Sequence, residues 1–495
     1  QVLEQAILDM LMRAASGTAA SVLASGEGSG ANLIQAVFYP RTPKIPLGMF
    51  DTRIMWAGRL SNFWYYIDPF FTTSTILEDT TSDNILNLST DKTVKLRYDT
   101  TNEYAVGDCY DYSTGASANC GQGTTPVRLE YLKTLWDAGI QLWNRNISLN
   151  PRTIYTTVNG TSFLSGGFST TNKTTLRTYL QATNDNESEA IIRYIHGEDN
   201  PVVSGTTYSY RSRTSAFDLN GDGDTADTVN GISESTKVWK LGDILNSTPR
   251  ISSWIQLNTY DSVYNDTTYS DFIESSSYTG RGMVFTGAND GMLHAFKLGD
   301  LGIPNSSHTA GCSFGSNDKA CLTGTDLGKE MWAVIPKNAL PYLKYMTDTG
   351  YCHLYSVDLS PYIFDASING NPDDTKTVSS WKTILIGGMR FGGACKDTTY
   401  TGTDGVKIPT SGIGYSSYFA LDVTDQNNPT LLWEFSDPAL GFATTGPAVV
   451  KINATGDTNG LNKNGKWFVV FGSGPTGPIS TTDMQFMGRS DQNLR

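Results

Sequence analysis

Between Asp218 and Asp227 the chain reads DLNGDGDTAD. Calcium loops place oxygen ligands at positions 1, 3 and 5, a glycine at position 6 for the sharp turn, and a backbone carbonyl at position 7. Asp218, Asn220, Asp222, Gly223 and Asp224 follow that order. Position 12, where a bidentate glutamate closes a standard EF-hand, is Val229, so Asp227 or Glu234 has to substitute. The expected metal set is therefore Asp218, Asn220, Asp222, Asp224 and Asp227, with calcium as the cofactor. The competing reading is a solvated acidic loop whose carboxylates repel one another unless a cation or water screens them. A metal here would order a loop and would not catalyse a reaction.

Other chemistry-bearing patterns lead elsewhere. GSGPTG, from Gly472 to Gly477, spells the dinucleotide fingerprint after a strand, but that fingerprint must open a helix. Pro478 and β-branched residues follow, so a turn between strands is expected. His196, His294, His308 and His353 are scattered, and neither H-E-x-x-H nor G-x-S-x-G occurs. His294 alternates with apolar neighbours on a strand and is expected to be structural. No catalytic constellation and no enzymatic cofactor site emerges.

Six cysteines are present, at Cys109, Cys120, Cys312, Cys321, Cys352 and Cys395. None lies in a C-x-x-C arrangement, so zinc, thiol redox and covalent haem fit poorly. Three disulfides in an oxidising compartment are expected. Six cysteines allow about 15 pairings. The short closures Cys109–Cys120 and Cys312–Cys321 are favoured, which leaves Cys352–Cys395.

The elements that would position these residues are mostly strands. Residues 1–25 show apolar residues at helical spacing and predict a helix, ended by GEGSG. ANLIQAVFYP and IMWAGRLSNFWYYI read as strands. Residues 75–125 are polar and read as surface excursions. Helical patches are expected at Leu129–Asn146 and Thr174–Gly197. From Val238 onward, short apolar strands and turns follow almost without interruption.

MVFTGANDGMLHAFKL, from Met283 to Leu298, is a hairpin signal, because Asn, Asp and Gly tolerate positive φ. TILIGGMRFGG with YFALDVTD repeats the plan, and KWFVVFGSG begins it again. EMWAVIP, TLLWEFSD and GPAVVKIN lie between the copies as outer-strand candidates. Starts near residues 283, 383 and 467 form a loose period of four-stranded units, the pattern of propeller blades. The fold class is thus mainly β, an incomplete β-propeller of about three blades preceded by a mixed α/β region. Closure needs roughly four to eight blades, so the rest are expected outside this stretch or from another chain. Gln1 is not an initiating residue, and the chain is expected to be a piece of a longer protein.

Composition narrows the function classes. The chain has 495 residues, 39% hydrophobic and only 17% charged, enough apolar content to fold and the texture of an all-β extracellular protein. Its formal net charge of −13 excludes nucleic acid, which requires a basic footprint. No apolar run approaches the roughly 20 residues that a transmembrane helix requires.

VWKLGDILNSTPRIS (Val238 to Ser252), VFTGANDGMLHAFKLGD, WKTILIGGMRFGG, YFALDVTDQNNPTLLWEFSD, LGFATTGPAVVKI and KWFVVFGSGPTGP, taken in order, resemble the propeller of type IV pilus tip proteins of the PilC/PilY family. Upstream, FYPRTP, MWAGRLSNFWYYI, LWNRNISLNPRTIYT and IIRYIHG resemble the family's small module before the propeller. The resemblance implies that residues 1–25 end a von Willebrand A-like domain, 26–237 form a linking module with surface insertions, and 238–495 form the first blades. It further implies a secreted, surface-displayed bacterial protein at the pilus tip. Such a protein would bind minor pilins, promote pilus assembly and mediate adhesion to surfaces or host cells, without enzymatic activity. Some members bind calcium through a propeller loop of pattern D-x-D-x-D-x-x-x-D, which these blades lack. ALDVTDQNNPTLLW resembles the docking motif by which quinoprotein dehydrogenase blades pack a tryptophan, here Trp433, so a quinone-dependent enzyme is the alternative. A passive envelope or filament subunit is a third. Insertions at Gly311–Thr323 and Tyr351–Ser380 are expected on one rim, as candidates for partner contact.

Overall fold

The computed structural model describes residues 16–17, 21–24, 31–44, 49–67, 74–99, 104–351, 353–368, 375–393, 413–437, 439–452 and 465–475. Among the described residues strand outweighs helix, 34% against 15%, with one sheet curled strongly into a half-barrel.

The first strands are β1 (Ser16–Gly17), β2 (Ser21–Ala24), β3 (Ala31–Arg41), β4 (Met55–Ile67), β5 (Ser74–Leu77), β6 (Ile85–Asn87), β7 (Lys92–Asp99), β8 (Tyr104–Asp111), β9 (Val127–Arg128) and β10 (Trp136–Asp137). All but β6 form one nine-stranded sheet, ordered β1-β3-β4-β5-β7-β8-β9, with β2 also on β3 and β10 on β4. Two expectations are corrected here. The helix predicted over 1–25 does not run through 16–24, where both strands pair antiparallel with β3. Gly17, Thr18 and Ser21 are poor helix formers, and β3 offers backbone partners. Residues 1–15 lie outside the described residues. Much of residues 75–111 is strand (β5 to β8) and not surface excursion, whereas 113–119 and 121–126 are exposed or half-exposed turns. Val94, Val106, Cys109 and Cys120 are buried, while Thr, Lys and Asp line the wet face and hide the alternation.

The helical patches are shorter than periodicity predicts. In the first, only α1 (Ala138–Asn144) is an α-helix, started by the Asp137 carboxylate accepting from Ile140 N at 2.9 Å. After it comes β11 (Ile154–Thr156). The second patch breaks before α2 (Asp185–His196), which Asn184 caps and Gly197 ends at φ 118°.

The propeller strands follow. β12 (Arg250–Ser253) is separated from the next strand by three short helices, α3 (Tyr260–Tyr264), α4 (Thr267–Ile273) and α5 (Ser276–Thr279). Then come β13 (Gly282–Gly287), β14 (Leu293–Lys297), β15 (Asp300–Gly302), β16 (Asp318–Thr323) and β17 (Glu330–Ile335). Strands β12-β13-β14-β17 form the first blade, and β11 adds to β17 in parallel as a fifth strand. The second blade is β18 (Tyr362–Ser367), β19 (Trp381–Gly388), β20 (Tyr418–Asp422) and β21 (Thr430–Phe435), paired in that order. A third begins with β22 (Ala448–Lys451) and β23 (Trp467–Val470).

Each repeat start legible in the sequence is thus the second strand of a blade. GPAVVKIN is the first strand of the third blade and not an outer strand. Nor are the two insertions free rims. Tyr362–Ser367 is the first strand of blade 2, and Asp318–Thr323 pairs with both β15 and β6. Outside those strands, the described residues 311–317 and 375–379 are exposed or half-exposed. Trp433 packs against the core of the second blade, on which Val449, Trp467 and Val469 of the third blade also pack. One blade earlier, the indole N–H of Trp332 on β17 donates to the Gln426 carbonyl at 2.7 Å.

Candidate functional site

The acidic loop divides in two. Asp218 is buried, and its carboxylate accepts from Gly221 N at 2.6 Å, Gly223 N at 3.0 Å and the Tyr131 hydroxyl at 3.1 Å. Glu234 is equally buried and accepts from Leu219 N at 2.6 Å and Asp227 N at 3.2 Å. These two carboxylates fold the loop. Asp222, Asp224 and Asp227 are exposed, and an oxygen from each lies within 4.8 Å of the others. Asn220 Nδ2 bridges Asp222 at 3.0 Å and Asp227 at 2.8 Å. The Asp224 N–H and the Asn220 amide hold the Asp222 carboxyl below its usual range. Three clustered carboxylates on an oxygen-only loop fit a hard cation. The tertiary structure therefore gathers Asp222, Asp224 and Asp227 with Asn220 and sets Asp218 apart as a scaffold. Glu78, Cys109 and Cys120 also cluster, but those cysteines are joined in a disulfide and are not thiolate ligands.

A second site, invisible in the sequence, joins the segment before the propeller to the first blade. Arg152, just before β11, makes a bidentate pair with Glu330 of β17, both bonds at 2.7 Å and both side chains fully buried. Its third nitrogen donates to the Ile195 carbonyl at the end of α2 at 3.0 Å. Arg145, following α1, donates to the Glu330 carbonyl at 2.9 Å. His294 of β14 lies between Glu330 at 2.8 Å and Asp290 at 3.1 Å. Burial alone would push this imidazole down, but Asp290 and Glu330 prevail and hold it up at about 9. Burial likewise favours a neutral Glu330, yet Arg152 and His294 hold it far below the usual carboxylate range. His294 is structural, as its strand pattern predicts, and the two flanking carboxylates favour its charged form.

Lys240 closes the same joint. Its Nζ donates to the carbonyls of Leu142, Trp143 and Val238 at 3.0, 3.1 and 3.0 Å. Burial, with Arg152 and Arg213 nearby, pushes its amine down to about 7.

With this geometry fixed, comparison with known proteins is decisive for the second half of the chain. Residues 241–483 match the family model of the PilY1 beta-propeller domain. They form a PilY1-type propeller. The type IV pilus biogenesis factor PilY1 of Pseudomonas aeruginosa is 32% identical over 242 residues, covering 47% of this chain and 15% of that protein. A PilY1 homolog of Xylella fastidiosa is 28% identical over 247 residues, covering 47% of this chain and 12% of its own length. The crystal structure of the P. aeruginosa PilY1 C-terminal domain is 27% identical, with a TM-score of 0.26, covering 46% of this chain and 33% of that one. The chain thus spans a small part of the length of these curated relatives.

Within the PilY1-type propeller, the helices α3–α5 reach from the first blade onto the second. Asp365 of β18 is fully buried and accepts from the hydroxyls of Tyr269 and Tyr278, each at 2.8 Å, and of Thr383 at 2.6 Å. Burial and this carboxylate raise both phenols far above their ordinary range. Trp381 packs on Tyr269 and donates its indole N–H to Thr268 at 2.9 Å. Lys376 pairs with Asp266. Tyr260 touches Trp381 and also Trp467 of the third blade, with ring centroids 5.5 and 6.1 Å apart. The helical insertion therefore spans three successive blades.

Cys109–Cys120 and Cys312–Cys321 are bonded as the short-loop argument predicts. Cys352 and Cys395 lie outside the described residues. Among those residues, no helix is long and apolar enough to cross a membrane.

Proposed function

We propose that this chain is part of a type IV pilus biogenesis factor that acts at the pilus tip, outside the cell. There it would bind minor pilins and mediate adhesion to surfaces or host cells. The observation that carries the proposal is the ordered match of three successive blades to a propeller whose curated relatives are named type IV pilus biogenesis factors. Two disulfides agree with an exported protein. The reading is non-enzymatic: Trp433 is accounted for by packing between blades, without a quinone. Deleting the gene is expected to abolish or sharply reduce surface pili and pilus-dependent attachment. Normal piliation, twitching and adhesion in the deletion strain, with no paralogue to compensate, would overturn the proposal. A quinone band in the visible spectrum of the purified protein would favour the dehydrogenase alternative, and self-assembly without pilins the passive filament subunit.

The acidic loop is proposed as a calcium site of this factor, with Asp222, Asp224 and Asp227 as carboxylate ligands and Asn220 beside them. Asp218 serves by holding the loop backbone. Calorimetry is expected to show calcium binding that Asp222→Ala removes while the fold survives. Titration without heat or saturation, or an unchanged affinity in Asp222→Ala, would sink the assignment.

A further inference from the structure

Three buried side chains sit together on the face of the nine-stranded sheet that packs against the propeller. Asn32, Asn62 and Trp64 are each fully buried. Asn32 on β3 lies directly opposite Trp64 on β4, and Asn62 precedes Trp64 by two residues. The two-residue period of a strand therefore puts all three side chains on one face. Trp64 belongs to the apolar cluster that joins Ile34 and Leu60 of the sheet to Val284, Phe296 and Leu298 of the first blade. Polar groups here have no access to bulk solvent.

Their hydrogen bonding is incomplete. Asn32 Nδ2 donates to Asn62 Oδ1 at 3.2 Å. Among the described residues, Asn32 Oδ1, Asn62 Nδ2 and Trp64 Nε1 have no hydrogen-bond partner. Turning both amides over changes nothing essential: the mutual bond reverses, and one amide donor, one amide acceptor and the indole N–H are still left. Unpaired polar atoms in an apolar core are rare because each forfeits its hydration without replacement. The residual set, two donors and one acceptor, selects its ligand. A metal ion is disfavoured by two N–H donors, and an anion has nothing to donate to the amide oxygen. Water accepts from Asn62 and Trp64 and donates to Asn32, and buried waters typically make about three such bonds.

We propose that one structural water is built into the seam between the sheet and the first blade, held by Asn32, Asn62 and Trp64. The water ties β3 to β4 at one polar point on the sheet face that otherwise packs through apolar side chains on the first blade.

A high-resolution crystal structure of the chain tests this directly. A single density peak is expected at hydrogen-bond distance, about 2.7–3.2 Å, from all three atoms. A site with no density, or amides and indole turned to pair with protein groups, would overturn the proposal. In solution, Asn62→Leu should lower the urea midpoint by orphaning the Asn32 amide, and Asn32→Leu/Asn62→Leu should recover part of that loss. A double variant as unstable as the sum of the singles would argue against a shared water. If Asn62→Leu fails to fold, the wild-type density remains the deciding measurement.

Discussion

Glu330→Gln is expected to destabilise the protein by about 3–5 kcal/mol, the cost of breaking a buried ion pair from one side. The amide keeps the shape but leaves the fully buried Arg152 guanidinium without a counter-charge and removes one of the two carboxylates flanking His294. Because Arg152 precedes β11 and Glu330 opens β17, the loss falls on the joint where β11 adds to the first blade as a fifth strand. Urea unfolding checks the value, and a loss below about 1 kcal/mol, the scale of an exposed pair, would refute the buried network. Arg152→Met combined with Glu330→Gln should cost clearly less than the sum of the two, because the residues share one interaction.

The same joint sets a pH dependence. The folded His294 is raised from 6.5 to about 9, so its contribution is complete below the unfolded value and is lost as pH rises through 9. The window is worth about 3 kcal/mol. Lys240 acts with the opposite sign. Its folded amine is depressed to about 7, so stability rises with pH above that point and masks the histidine in the wild type. The measurement is therefore the difference between the wild-type and His294→Gln stability profiles from pH 6 to pH 10. That difference should shrink toward high pH, and a flat difference would exclude a charged His294.

Asp365→Ala is the second large effect, an expected loss of at least about 3 kcal/mol. The substitution removes the acceptor of the Tyr278 and Thr383 hydroxyls and leaves Tyr269 only the Asn258 carbonyl at 3.2 Å, and each orphaned donor costs about 1–3 kcal/mol. It should also free the helical insertion. Limited proteolysis is expected to cut within α3–α5 faster than in the wild type, before the blades themselves unfold. An unchanged urea midpoint with an unchanged cleavage pattern would show that the insertion is held by its other contacts, the Lys376–Asp266 pair and the packing on Trp381, and not by Asp365.

Local chemistry determined a good deal of this protein. Alternating apolar residues and the Asn289-Asp290-Gly291 turn specify the first hairpin, and Gly291 duly takes φ +98°. The motif around Trp433 announces blade-to-blade packing, and close spacing announces both observed disulfides. Each of these signals depends on neighbours within a few residues. What the tertiary structure alone decided depends on partners far apart in the chain. Asp290 reads as a turn residue, yet its carboxylate holds His294 and the Gly242 N–H. Glu330 and Asp365 sit in strand patterns that look merely amphipathic, but the residues that justify burying them lie 178 and 87–96 positions away. Asp218 resembles a metal ligand by spacing, but burial commits it to the loop backbone and leaves three later aspartates at the surface. Burial of a charge is permitted only where distant partners compensate it, and no local pattern carries that information.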